Sequence, residues 1–130
     1  PAMKKYLTGC GLALILSGCG GTPPVDIRSS KIADNGFGAA EAPFLSITAT
    51  AKSDDLEIRE ITVNKGNCQR MNSARAMGQE MTSRLPKTVS RGEGVIQAFD
   101  YLCNVIEVEV VTDEGSWTFR EGNDFRTWGN

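Results

Sequence analysis

Asn104-Val105-Ile106-Glu107-Val108-Glu109-Val110-Val111-Thr112, continued by Asp113-Glu114-Gly115 and Ser116-Trp117-Thr118-Phe119-Arg120, is the stretch that decides the fold. Ile106, Val108 and Val110 recur at every second residue, the period of a strand that buries one face. Glu107 and Glu109 then mark the outer face, flanked by Val105 and Val111. Asp113-Glu114-Gly115 reads as a three-residue hairpin loop, with Gly115 free to take a positive φ. The returning strand puts Trp117 and Phe119 on a common side, where a large ring helps a small domain fill its core.

The same alternation recurs upstream. In Phe44 to Ala51, Leu45, Ile47, Ala49 and Ala51 face one way and Ser46, Thr48 and Thr50 the other. Ser53-Asp54-Asp55 makes a turn, its carboxylates able to accept from nearby backbone amides. The next strand, Leu56 to Val63, changes phase: Leu56 and Ile58 are out of step with Ile61 and Val63. A bulge at Arg59-Glu60 returns both pairs to the core. Asn64-Lys65-Gly66-Asn67 turns the chain before Cys68.

From Gln69 to Arg84 the reading stays open. Met71, Ala74, Met77 and Met81 fall at roughly helical spacing, so the segment is a short amphipathic helix or a long loop, with Gly78 weighing against a helix. Leu85-Pro86 restarts extended structure, Arg91 to Gly94 is a turn, and Val95 to Phe99 is another strand. The tail from Glu121 has weak regularity, and Trp128 either docks or lies exposed. These elements predict an all-β domain over 44–130: a small antiparallel β-sandwich or barrel of about six strands. Residues 20–43, with Gly20-Gly21, Pro23-Pro24 and Asn35-Gly36, read as a flexible tether able to reach roughly 80 Å. Val25 and Ile27 offer the alternative of a short edge strand there.

The residue inventory narrows the chemistry. The chain holds no histidine, which removes the commonest general base and metal ligand. Glu107 and Glu109 share a strand face at about 7 Å, a separation compatible with glycoside hydrolysis, but alternating charges more often simply solvate a strand. Asp54-Asp55 and Asp113-Glu114 lack the rest of a calcium loop, and Gly92-Glu93-Gly94 lacks the lysine and context of a phosphate cradle. No basic cluster suggests nucleic acid, and no cofactor or metal site is expected. Glu107 and Glu109 with Val105 and Val111 are the candidate partner surface, and an exposed edge strand is a second way to bind a partner.

The amino-terminal segment carries the one family resemblance. Lys4-Lys5 precede an apolar run from Tyr6 to Leu16, and Leu16-Ser17-Gly18-Cys19 closes it. The run is too short to span a bilayer. Met3 reads as the native start, with Pro1 and Ala2 added ahead of it. The pattern resembles the signal peptide and lipobox of bacterial lipoproteins. That resemblance implies cleavage before Cys19, acylation of its thiol and a lipid bilayer as partner, with residues 1–18 as the signal and 19–43 as anchor and tether. Gly20, where aspartate would retain the protein in the inner membrane, implies the outer membrane. Once Lys4 and Lys5 leave, 16 acidic residues face 12 basic ones (14 less 2).

Cys10 leaves with such a signal, Cys19 becomes the anchor, and Cys68 and Cys103 remain. An even remainder in an exported chain predicts one disulfide; two unpaired thiols are the alternative. The expected function is non-enzymatic: a protein-binding or structural component of the cell envelope, as an accessory of a secretion or conjugation machine or an exclusion factor. An inhibitor of a lysozyme-like enzyme is the alternative, since the small periplasmic lysozyme-inhibitor lipoproteins are similar in architecture. A carboxylate-dependent hydrolase is a more distant one.

Overall fold

A computed structural model describes residues 21–33 and 42–129. The alternating segments become strands: β1 (Val25–Ile32), β2 (Phe44–Ala51), β3 (Leu56–Val63), β4 (Arg75–Ala76), β5 (Gln79–Glu80), β6 (Lys87–Val89), β7 (Gly94–Phe99), β8 (Glu107–Thr112), β9 (Gly115–Arg120) and β10 (Thr127–Trp128). Two four-stranded sheets form, in the orders β10-β1-β2-β7 and β6-β3-β8-β9, with β4-β5 as a separate small hairpin. Leu45, Ile47 and Val95 of the first sheet and Ile58, Ile61, Val108 and Val110 of the second are fully buried in one common cluster. The fold is therefore an all-β sandwich, and its sheets do not close into a barrel.

The phase change in β3 has the expected cause. The β3–β8 register shifts between Ile58 and Glu60, and Leu56, Ile58, Ile61 and Val63 are all buried while Arg59 and Glu60 are exposed. One extra residue lets two apolar pairs of opposite phase share one core.

Three expectations are corrected. The first concerns the tether over 20–43. Val25–Ile32 is a full strand, paired residue by residue with Phe44–Ala51, and Val25 is buried in the main core. Its eight polar-rich residues are held by ladder hydrogen bonds rather than by a continuous apolar run. The folded domain thus begins by Val25. Its pairing with β10 is parallel, the one departure from an antiparallel fold among the described strands.

Second, the β8–β9 connection has two loop residues, not three. Gly115 pairs with Thr112 as the first residue of β9 and carries a φ of +132°.

Third, 69–84 is neither helix nor plain loop. Met77 (φ +53°) and Gly78 (φ +79°) both take left-handed backbone, which makes the two-residue turn of the β4–β5 hairpin. The methionine spacing serves a different purpose. Met71 and Met81 pack with Ala74 and Ala76 against Phe44 and Ala98 on the outer face of the first sheet. The same segment lines the free side of β7. Met71 N donates to Ala98 O (2.9 Å), Ser83 N to Ile96 O (2.7 Å) and Asp100 N to Gln69 O (2.9 Å). A sheet edge is covered in this way, and so is the part of the outer face around Phe44 and Ala98.

Candidate functional site

The residues with most structural consequence gather at the start of β8. Cys68 and Cys103 form a disulfide with a Cα–Cα distance of 5.7 Å, joining the turn after β3 to the segment before β8. Asn64 binds the same segment from the turn. Its Oδ1 accepts from Ile106 N (2.8 Å) and Glu107 N (3.1 Å), and its Nδ2 donates to Asn104 O (2.9 Å). Nδ2 also faces Cys68 Sγ at 3.3 Å. Asn64 sits at φ +53°, a conformation that asparagine tolerates better than most residues.

This arrangement splits the proposed partner surface. Val105 is buried in the core, and Ile106, expected inward, is 58% exposed. The reason is local. Asn64 bonds the Ile106 and Glu107 amides from the side, so regular alternation begins only at Glu107. Glu107, Glu109 and Val111 do share the outer face, opposite Arg120, Thr118 and Ser116. Glu107 is buried beneath its ion pair with Arg120 (3.6 Å), while Glu109 and Val111 are half-buried. Three of the four residues thus lie together, and Val105 belongs to the interior.

The grooves lie elsewhere. One of about 490 Å³ is lined by Pro43, Gln69, Arg70, Met71, Asp100 and Tyr101, with Asn72 and Ser73. Arg70 is fixed at its margin by Ile61 O (3.0 Å) and by Glu60 (3.9 Å), and Lys31 Nζ stands 5.1 Å from the centre of the Tyr101 ring. A second, of about 320 Å³, lies between Asp26, Ile27 and Arg28 of β1 and Phe119 and Asp124. Neither groove includes Glu107 or Glu109, so these two carboxylates do not converge on either concave surface.

Beside the first groove, Glu80 organises the small hairpin. It accepts from Thr82 Oγ1 (2.5 Å), Ser73 Oγ (2.9 Å) and Ala74 N (3.1 Å), and Arg75 lies at 3.8 Å. The Thr82 hydroxyl, then the Ala74 amide and the Ser73 hydroxyl, hold its carboxyl down to about 2.

The sequence places Asn64 only in a turn and singles out none of Arg70, Tyr101 and Glu80. The signal for Asn64 was its type, an asparagine four residues before a cysteine, where a tight positive-φ turn is needed. The groove residues carried no local signal, because strand pairing across distant segments assembles them.

Among the described residues, no group of three or more Cys, Asp or Glu is placed to hold a metal ion, and no helix is long and apolar enough to cross a membrane. Cys19 and the segment before it lie outside the described residues. Comparison with known proteins returns no match to a family model, a curated protein or a solved structure.

Proposed function

We propose that this protein is an outer-membrane lipoprotein, anchored through acylated Cys19, whose β-sandwich binds another protein or assembly of the cell envelope. The observation that carries the reading is the run Lys4-Lys5, Tyr6 to Leu16 and Ser17-Gly18-Cys19. The Cys68–Cys103 disulfide supports it, since such bonds persist in oxidising compartments. The setting favoured is an accessory role in a secretion or conjugation machine, or an exclusion factor.

The early start of β1 changes the geometry of anchoring. Only Gly20 to Pro24 would separate Cys19 from the domain, a reach of at most about 17 Å. Pro24 O accepts from Lys52 N (2.7 Å), so an anchor at Cys19 would put the lipid side near the β2–β3 turn. Pro43 stands at the other end of the eight-residue β2, about 25 Å along the strand. The groove of Arg70 and Tyr101 would therefore face away from the bilayer, toward a partner.

Labelling cells with a clickable palmitate analogue tests the anchor. The wild type should incorporate label and fractionate with outer membranes, and Cys19→Ser should do neither. An unlabelled wild type would overturn the lipoprotein reading. In-cell crosslinking of the lipidated form then identifies the partner. An Arg70→Glu/Tyr101→Ala variant that keeps the crosslink would exclude the groove as its binding surface.

A further inference from the structure

Among the described strands, three of the four outer edges of the sandwich are short or covered. β10 has two residues, β6 has three, and β7 is bonded along its free side by Gln69, Met71 and Ser83. β9 is six residues long and ends the order β6-β3-β8-β9. Its hydrogen-bond phase is fixed from both ends. Thr112 and Gly115 flank a two-residue loop, which makes them a hydrogen-bonded pair. At the other end Arg120 gives its N–H to Asp124 Oδ2 (2.7 Å) and receives Asp124 N (2.8 Å) and Asn123 N (3.2 Å) on its carbonyl. Glu107–Arg120 is therefore a non-hydrogen-bonded pair. Between these ends, Trp117 and Phe119 bond to β8, and Ser116 and Thr118 turn their N–H and C=O groups outward. No hydrogen bond from any other described segment reaches those four groups.

We propose that this edge pairs with the same edge of a second copy of the chain, antiparallel, about a two-fold axis at Trp117. In that register Ser116 of each copy lies opposite Thr118 of the other, and all the outward groups of both strands are satisfied. An axis at Thr118 would place Ser116 against Arg120, whose backbone groups are already used. Antiparallel pairing also brings the exposed Glu114, in the turn just before β9 of each copy, toward the end of the other's β9 that carries the exposed Arg120, a charge complementarity at both ends. Beyond the cap that Asn123 and Asp124 place on Arg120, the open stretch from Ser116 to Thr118 carries no proline, no lysine and no inward charge beside Trp117. The product is a continuous eight-stranded sheet running β6-β3-β8-β9 and back in the second copy. The inference stands independently of the lipid anchor.

The full chain in detergent solution supplies the test. The wild type should sediment as a dimer that dissociates on dilution, and Thr118→Pro, which removes one outward N–H and spares the β8 pairing, should sediment as a monomer. Opposed residues of a hydrogen-bonded pair lie about 5.5 Å apart at Cα, within disulfide range. A Ser116→Cys/Thr118→Cys double variant should then form an intermolecular disulfide on mild oxidation. Each single variant should stay at the background set by the native cysteines. A wild type that is monomeric at every concentration overturns the proposal. So does a dimer indifferent to Thr118→Pro, or equal crosslinking by the single and double variants. Should Thr118→Pro unfold, the cysteine comparison, which alters only side chains at the edge, decides alone.

Discussion

The side-chain oxygen of Asn64 accepts the backbone amide of Ile106 at 2.8 Å, tying a turn to a strand start 42 residues later. The same oxygen takes the Glu107 amide, and the side-chain amide nitrogen gives its hydrogen to Asn104 O. Removing this group leaves backbone donors without partners beside the disulfide. Asn64→Ala should cost about 2–4 kcal/mol, from unmet amides together with the strain of alanine at φ +53°. Asn64→Gly relieves the strain alone and should cost less. Urea unfolding of both variants separates the two contributions, and equal losses would show that strain plays no part.

The disulfide closes a loop of sequence separation 35. Replacing Cys68 and Cys103 by alanine should lower stability by about 3–4 kcal/mol in the chain-entropy account. Because Asn64 holds the same junction, the loss from a triple variant with Asn64→Ala should differ from the sum of the separate losses. Additive losses in denaturant would contradict the idea that the two devices act as one unit.

The β3 bulge lets Leu56, Ile58, Ile61 and Val63 face a single core. Deleting Glu60 removes the extra residue and restores strict alternation, so Leu56, Ile58, Ile61 and Val63 fall at every second position on the core face without a bulge. The deletion should therefore keep a cooperative thermal transition, as Glu60→Ala at the same exposed site should, and loss of that transition would show that the bulge itself, beyond the phase of the two pairs, is required.

Glu80 has its pKa lowered to about 2 by the Thr82, Ala74 and Ser73 hydrogen bonds. A depressed carboxylate supports the fold above its ordinary pKa of 4.5, and this support fades as pH falls through that value toward 2. Measured against the intrinsic exchange rate at each pH, protection of the Ala74 and Met81 amides should therefore fall across that range ahead of the sandwich core. In Glu80→Gln this protection should be low already at neutral pH and change little with acid.

Met77 is 81% exposed and sits at φ +53° in a turn that suits asparagine or glycine. Met77→Asn should raise stability by about 0.5–1 kcal/mol, measured by denaturant midpoint. A loss instead would show that the methionine side chain makes a stabilising contact despite its exposure.

Much of the fold was legible because strand burial writes itself with a period of two. Phe44–Ala51, the slipped phase of Leu56–Val63 and the hairpin ending in Trp117 and Phe119 all carry that mark. β1 did not carry it strongly. Val25, Ile27 and Ser29 share a face, yet serine gives no hydrophobic signal, and Ser29 is buried by bonding Thr127 at 2.9 Å. The 69–84 segment misled through its methionines, which pack on the outside of a sheet rather than along a helix. Ile106 and Val105 changed places because a side chain 40 residues away bonds to the strand entry.

By itself the sequence determined the local alternation, the bulge, the cysteine arithmetic and the resemblance to a lipoprotein signal, since each depends on neighbours in the chain. The tertiary structure decided which edges are covered, where Arg70 meets Tyr101, and that Glu107 is buried under Arg120 while Glu109 is not. Those outcomes arise from contacts between segments far apart in sequence, where register and packing, rather than residue type, choose the partner.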